Sequence, residues 1–265
     1  MKRLLSVALA VGALLLAATA SGELIRFGNL VLTADGGFTP RVLPRRAFAP
    51  IEFRGRADLR AVDGGAPPAV RRIVLEFDRD GKLSAAGLPE CDPALLAGES
   101  PLDARETCGG SIVGWGHAAA IVTRPGEPAF SASTELTVFN GIRQGRVPTA
   151  IVHGRLFTPQ PEAFLIVVPI QEQAGEFRYR ATIEVPPIAG GSGSLTHVDV
   201  TLGRRYRFEG RPRSYVSARC SDGVLQTHGR FEFADGSLVD GSLQRGCTVR
   251  RKGRASYTLP SPPGR

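Results

Sequence analysis

Long helix-forming runs of Ala, Leu, Glu and Lys are missing from this 265-residue chain. That absence argues against a helical bundle and against the helix-plus-strand rhythm of a parallel α/β sheet. No Gly-x-Ser-x-Gly elbow, His-Glu-x-x-His pair, P-loop or Gly-x-Gly-x-x-Gly ahead of a helix occurs. The compact signatures of serine hydrolases, zinc proteases and nucleotide binders are therefore lacking. Histidine is scarce, with His117, His153, His197 and His228 only. Beyond the first twenty residues, no apolar run approaches the roughly 20 residues of a membrane-spanning helix. Nor is there an aromatic stacking platform of the kind that holds single-stranded nucleic acid.

The first residues have a clear pattern. Met1-Lys2-Arg3 is a short cationic start, Leu4 to Ala18 is almost unbroken Leu, Val and Ala, and Ala18-Thr19-Ala20 supplies small residues at a cleavage site. This predicts a signal peptide over residues 1–20, cut after Ala20. The protein is expected to be secreted or associated with the cell envelope, with no membrane span after cleavage.

Glycine (32) and proline (20) are abundant, which favours short strands and tight turns. Ile51 to Leu59 alternates: Ile51, Phe53, Gly55, Ala57 and Leu59 fall on one side, and Glu52, Arg54, Arg56 and Asp58 on the other. That is the period-two pattern of a half-buried strand. Similar stretches recur to Leu243, separated by turn signals such as Asp35-Gly36-Gly37, Asn140-Gly141 and Asp235-Gly236. The expected fold is all-β: an antiparallel two-sheet sandwich or flattened barrel of eleven or more strands. It is expected to occupy residues 23–252 as a single domain, ahead of a disordered Pro/Gly-rich tail over 253–265.

The four cysteines, Cys91, Cys108, Cys220 and Cys247, read as disulfides in an exported chain. Proximity within local units favours Cys91–Cys108 and Cys220–Cys247, each stabilising by about 3 kcal/mol through loop entropy. Zinc-ligand spacing is absent. The one helical stretch lies between the first pair. Asp92-Pro93 and Ser100-Pro101 each offer an N-cap followed by Pro at the first helical position.

Of the 33 basic residues only three are Lys, a bias that GC-rich codon usage explains together with the excess of Ala, Gly and Pro. The formal charge is +8. The densest basic segment runs from Arg204 through Arg205, Arg207 and Arg211 to Arg213. If Arg205, Arg207 and Arg211 share a strand face, they form a stripe able to hold an anionic envelope polymer; a solvated edge strand is the alternative. His117 and His153 are the weaker polar candidates and would need a carboxylate to complete a metal site. Asp78-Arg79-Asp80-Gly81 resembles the start of a calcium loop, but Ala85, Ala86 and Leu88 occupy later ligand positions, so it reads as a turn.

Several blocks recur in one order: Gly87-Leu88-Pro89-Glu90-Cys91; Cys108 with Ile112-Val113-Gly114-Trp115-Gly116; Val138-Phe139-Asn140-Gly141. They continue with Arg204-Arg205, Arg211-Pro212-Arg213-Ser214-Tyr215, Ala218-Arg219-Cys220, Phe233-Ala234-Asp235-Gly236 and Cys247-Thr248-Val249-Arg250. In this order the chain resembles a group of uncharacterised secreted β-rich proteins of high-GC soil actinobacteria, from about Leu43 to Arg250. The resemblance implies export and one continuous domain, and it carries no assigned activity, catalytic residue or cofactor.

The expected function is that of a non-catalytic extracellular domain, structural or binding, without cofactor and without nucleic acid as partner. One alternative is a secreted hydrolase acting on glycan or lipid through carboxylates in a cleft. The other is a binder of anionic envelope polymer through Arg204 to Arg213.

Overall fold

The period-two alternation is realised throughout a computed structural model that describes residues 22–157 and 161–250. The expected signal peptide and the 253–265 tail lie outside the described residues. The strands are β1 (Glu23–Phe27), β2 (Leu30–Thr39), β3 (Val42–Leu43), β4 (Ala49–Pro50), β5 (Glu52–Ala61), β6 (Val70–Asp78), β7 (Gly81–Leu83) and β8 (Ile112–Val122). They continue with β9 (Phe130–Gln144), β10 (Val147–Leu156), β11 (Glu162–Glu172), β12 (Phe177–Glu184), β13 (Gly193–Leu202) and β14 (Arg205–Phe208). The last are β15 (Arg211–Ser214), β16 (Val216–Ala218), β17 (Val224–Phe233), β18 (Leu238–Gly246) and β19 (Thr248–Val249).

Twelve strands form one antiparallel sheet in the order β1-β2-β5-β13-β8-β9-β10-β11-β12-β6-β17-β18. The sheet curls until its two edges meet. Gly241 of β18 faces Ile25 of β1 so closely that a Cβ there would lie 2.5 Å from Ile25 Cδ1. Arg245 of β18 reaches across to β2, donating from Nε to the Gly36 carbonyl at 2.7 Å and pairing with the Asp35 carboxylate. Side chains, rather than a backbone ladder, close this seam. The result is the flattened barrel form of the expected all-β fold.

One end of the barrel carries a cap. β4, β16 and β7 form a three-stranded sheet, β14 and β15 a hairpin, and β3 and β19 a short parallel pair. Both expected disulfides form, Cys91–Cys108 and Cys220–Cys247. Cys220 packs with Phe38, Leu43, Ile51 and Ala218 beneath the cap. The Cys91–Cys108 bridge spans the helical excursion: a 3₁₀ turn at Pro93–Leu95 capped by Asp92, then a helix, α1, over Pro101–Cys108 capped by Ser100. The excursion lies on the outer wall, where Leu96 and Ala104 cover Phe139 of β9 and Ile151 of β10. The opposite, far end is filled by Leu59, Phe231, Phe233 and Val239.

Two expected turns are strand instead. Asp35-Gly36-Gly37 lies inside β2, and Asn140-Gly141 inside β9. The cause at Asn140 is tertiary: its carbonyl accepts from Cys91 N at 2.9 Å and its side chain donates to the Pro89 carbonyl at 3.0 Å. Gly141 must lack a side chain because a Cβ would run into Thr149 Oγ1. Docking of the Cys91 segment thus overrides a strong local turn signal.

The Asp78-Arg79-Asp80-Gly81 segment is the expected turn, between β6 and β7, and its carboxylates hold the cap. Asp78 accepts from Asp80 N at 2.8 Å and from Gln226 N at 3.0 Å. Asp80, fully buried, accepts from Arg219 Nε at 2.7 Å and Ser221 N at 2.6 Å, next to the second disulfide. Burial pushes the Asp80 carboxyl up, but Arg219 and Ser221 outweigh it and hold it below the usual carboxylate range. Breaking this pair leaves Arg219 without its partner. Asp80→Ala is therefore expected to lower stability by about 3 kcal/mol in urea unfolding, whereas Asp92→Ala, at an exposed helix cap, costs about 1 kcal/mol. Equal effects of the two substitutions would contradict this role for Asp80.

Candidate functional site

The interior of the barrel is the candidate site, and its shape follows from which residues the strands turn inward. On one wall the register aligns Ala34, Ala57, Val198 and Ala118 in a transverse row across β2, β5, β13 and β8. On the facing wall it aligns Ala181, Leu75, Gly229 and Gly241 across β12, β6, β17 and β18. Mid-height therefore carries mostly Ala and Gly, while larger side chains gather at the two ends. Phe231, Phe233 and Leu59 close the far end, and Tyr215, Leu88 and Val138 pack beneath the cap. An eight-stranded barrel is just wide enough for its side chains to fill. Twelve strands with small residues at the waist leave a cavity of about 430 Å³.

The cavity is apolar. Ile73, Val152, Ile166, Val168, Ile183 and Val200 are typical of its walls. Charged residues also border it: Glu23, Asp78, Lys82, Glu162 and Arg245 near strand ends or in the cap, and Asp35, Arg54 and Arg56 within β2 and β5. A cavity walled this way stays dry and takes up apolar guests.

The outer wall is the reverse. Arg56 pairs with Asp58 at 2.7 Å, Arg72 bridges Glu184 and Glu232 at 2.6 and 3.2 Å, and Arg180 meets Glu76 at 2.8 Å. Barrels that span membranes carry an apolar band outside and polar groups inside, the opposite of this arrangement. His197 belongs to the outer wall, with Nδ1 2.8 Å from Asp58 and Nε2 3.0 Å from Asp199. Burial works to lower its pKa, but the two carboxylates prevail and raise it above the usual imidazole range. Both ring nitrogens are engaged by carboxylates, so neither is free to act as a base. Among the described residues, no group of three or more His, Cys, Asp and Glu side chains is placed to hold a metal ion.

His117 projects from the outer face of β8, largely exposed, with Nδ1 3.6 Å from Asp199. His153 lies on the outer face of β10 and is only 1% exposed. Strand β9 separates the two, with His117 opposite Glu135 and His153 opposite Thr137, and neither faces the lumen. The basic segment forms the β14–β15 hairpin. Arg205 and Arg207 share a face, while Arg211 and Arg213 stand across from Phe208 and Tyr206 on the other, so Arg211 does not join the stripe. Arg204 turns inward, donating to the Gly109 and Ile112 carbonyls at 3.3 and 2.9 Å. Tyr206 anchors the hairpin through its hydroxyl, which lies within hydrogen-bond distance of the Ser84 and Ala86 carbonyls.

Sequence reasoning names none of the lumen residues as a site. The signal was present as small residues at inward positions of separate strands, but only the register shows that they align. Comparisons with protein families, curated proteins and solved structures find no match for this chain.

His153 yields a pH prediction. It is buried, and burial outweighs the nearby Glu99 backbone group and holds its pKa below the usual imidazole value. The unfolded chain binds a proton near pH 6.5, where the folded protein resists one. Stability is thus expected to fall, relative to His153→Leu, as pH drops from 7.5 to 5.5, by up to about 1.4 kcal/mol per unit. A pH-independent difference in unfolding free energy between the two proteins would contradict this.

Proposed function

We propose that this protein is a non-catalytic carrier that shelters an apolar ligand, such as the acyl chain of a lipid, inside its barrel. The observation that carries the reading is the 430 Å³ apolar lumen. Its volume falls in the range of small-molecule sites, about 300–1,000 Å³. The two disulfides are those of a protein from an oxidising compartment. With the signal-like first twenty residues, they support a role outside the cell or at its envelope, where a lipid needs protection from water.

The test is direct. The mature protein, stripped of lipid, is titrated with cis-parinaric acid, a fatty acid whose fluorescence rises on leaving water. Saturable micromolar binding is expected. Ala118→Leu/Ala181→Leu, which fills the waist from both walls, is expected to weaken binding at least about tenfold and to raise the midpoint of thermal unfolding, because added methyl groups occupy a void. A domain that is purely structural gives no saturable binding in either form.

A second reading attaches to the β14–β15 hairpin. Arg205, Arg207, Arg211 and Arg213 are exposed there. If the hairpin holds anionic envelope polymer, retention on an immobilised uronate polymer falls with salt and is lost in Arg205→Ala/Arg207→Ala. Salt-insensitive retention, or a double variant that is retained normally, removes this reading.

A further inference from the structure

We infer that the ligand enters and leaves the lumen sideways, tail first, through a slit between β11 and β12. The inference rests on the carrier reading above and adds the route and the shape of the ligand: a single extended acyl chain.

The slit is a feature of the backbone. β11 and β12 pair at only three positions, Ile170 with Ala181, Gln171 with Arg180, and Glu172 with Tyr179. From there to the far end the strands part. Residues 162–169 of β11 keep their ladder to β10, and residues 182–184 of β12 keep theirs to β6. Between them the two halves of the barrel have no backbone ladder. The sequence supplies a cause. The first residue beyond the last pair is Pro169, which has no N–H to donate, so a ladder cannot continue regularly through it.

The edges of the slit suit an apolar chain. Phe164, Ile166 and Val168 line the lumen from β11, and Ile183 and Val185 from the β12 side. The outer face of β11 is apolar too, with Ala163, Leu165 and Val167. The outer face of β12 instead carries Arg178, Arg180 and Glu184. Beyond the last pair the two strands flank each other for the three remaining residues of β12, a narrow slot of roughly 10 Å at about 3.4 Å per residue.

Three other routes are narrowed by side chains among the described residues. The seam between β18 and β1 is closed by Ile25 on Gly241 and by Arg245 reaching Asp35 and Gly36. At the cap end Tyr215 and Leu88 lie over the lumen, and the cap is bound down by the Cys220–Cys247 bridge and by Asp80. At the far end Phe231, Phe233 and Leu59 form a packed cluster, with Ile188 against it.

Stopped-flow mixing of the mature protein with cis-parinaric acid tests the route. Val167→Trp and Thr182→Trp, on the outer lips of the slit and outside the lumen, are expected to slow uptake and release together by roughly tenfold while leaving equilibrium affinity nearly unchanged, as a gate does. Leu24→Trp, on the exposed outer face of the opposite seam, is expected to leave both rates as in the wild type. Pro169→Val is the milder variant: it restores the missing N–H, lets the ladder lengthen, and is expected to slow exchange as well. Wild-type rates in all three slit variants, or slowing by Leu24→Trp alone, overturn the lateral route while the carrier reading stands. Absence of binding in the wild type overturns the carrier reading itself.

Discussion

A closed sheet forces every strand to turn one set of side chains inward, and those side chains must fill whatever space the strand number encloses. Here the enclosed space is set by twelve strands and the filling at the waist by Ala and Gly, in rows that the register aligns across both walls. The mismatch between a wide barrel and small inward residues leaves the cavity, and the rest of the molecule depends on it. The ends must be plugged by larger residues, the outer wall must carry the charge, and the two seams must hold where the ladder is absent or short.

The cap shows how a long chain is held at one end of such a barrel. Its strands are short, two to four residues each, and would be marginal alone. Their order comes from connections outside the ladder: the Cys220–Cys247 bridge, the Asp80–Arg219 pair and the Asp78 carboxylate. Buried carboxylates of this kind cost desolvation and are held only because amide and guanidinium donors surround them. The acidic turn between β6 and β7 is thus an anchor for the cap rather than an ion site.

Inward positions are mostly apolar, and many outward positions form ion pairs along neighbouring strands, such as Arg56 with Asp58 and Arg180 with Glu76. Exposed pairs of this sort add little stability each. Their effect is to fix which face of every strand meets water, since a one-residue slip would bury a row of charges. The excess of arginine that composition attributes to codon usage therefore still has a structural use on the outer wall. On the β14–β15 hairpin, Arg205, Arg207, Arg211 and Arg213 are exposed.

The sequence by itself determined the strand class, the alternation and its inward face along β5, both cysteine pairs and the capped helical excursion. Each is set by neighbours in the chain: side-chain period, a Ser or Asp before Pro, cysteines within one local unit. Local signals failed at Asn140-Gly141 and Asp35-Gly36-Gly37, where a turn was expected and a strand is found, because contacts with the Cys91 segment and with β5 outweigh turn propensity. The cavity and the slit were decided by tertiary structure alone. An alanine at position 57 reads as an ordinary core residue until the register brings it level with Ala34 and Ala118, and Pro169 reads as an ordinary strand interruption until β12 is seen to leave β11 beside it. Alignment across strands far apart in the chain depends on register and closure, which are properties of the closed sheet and not of any one segment.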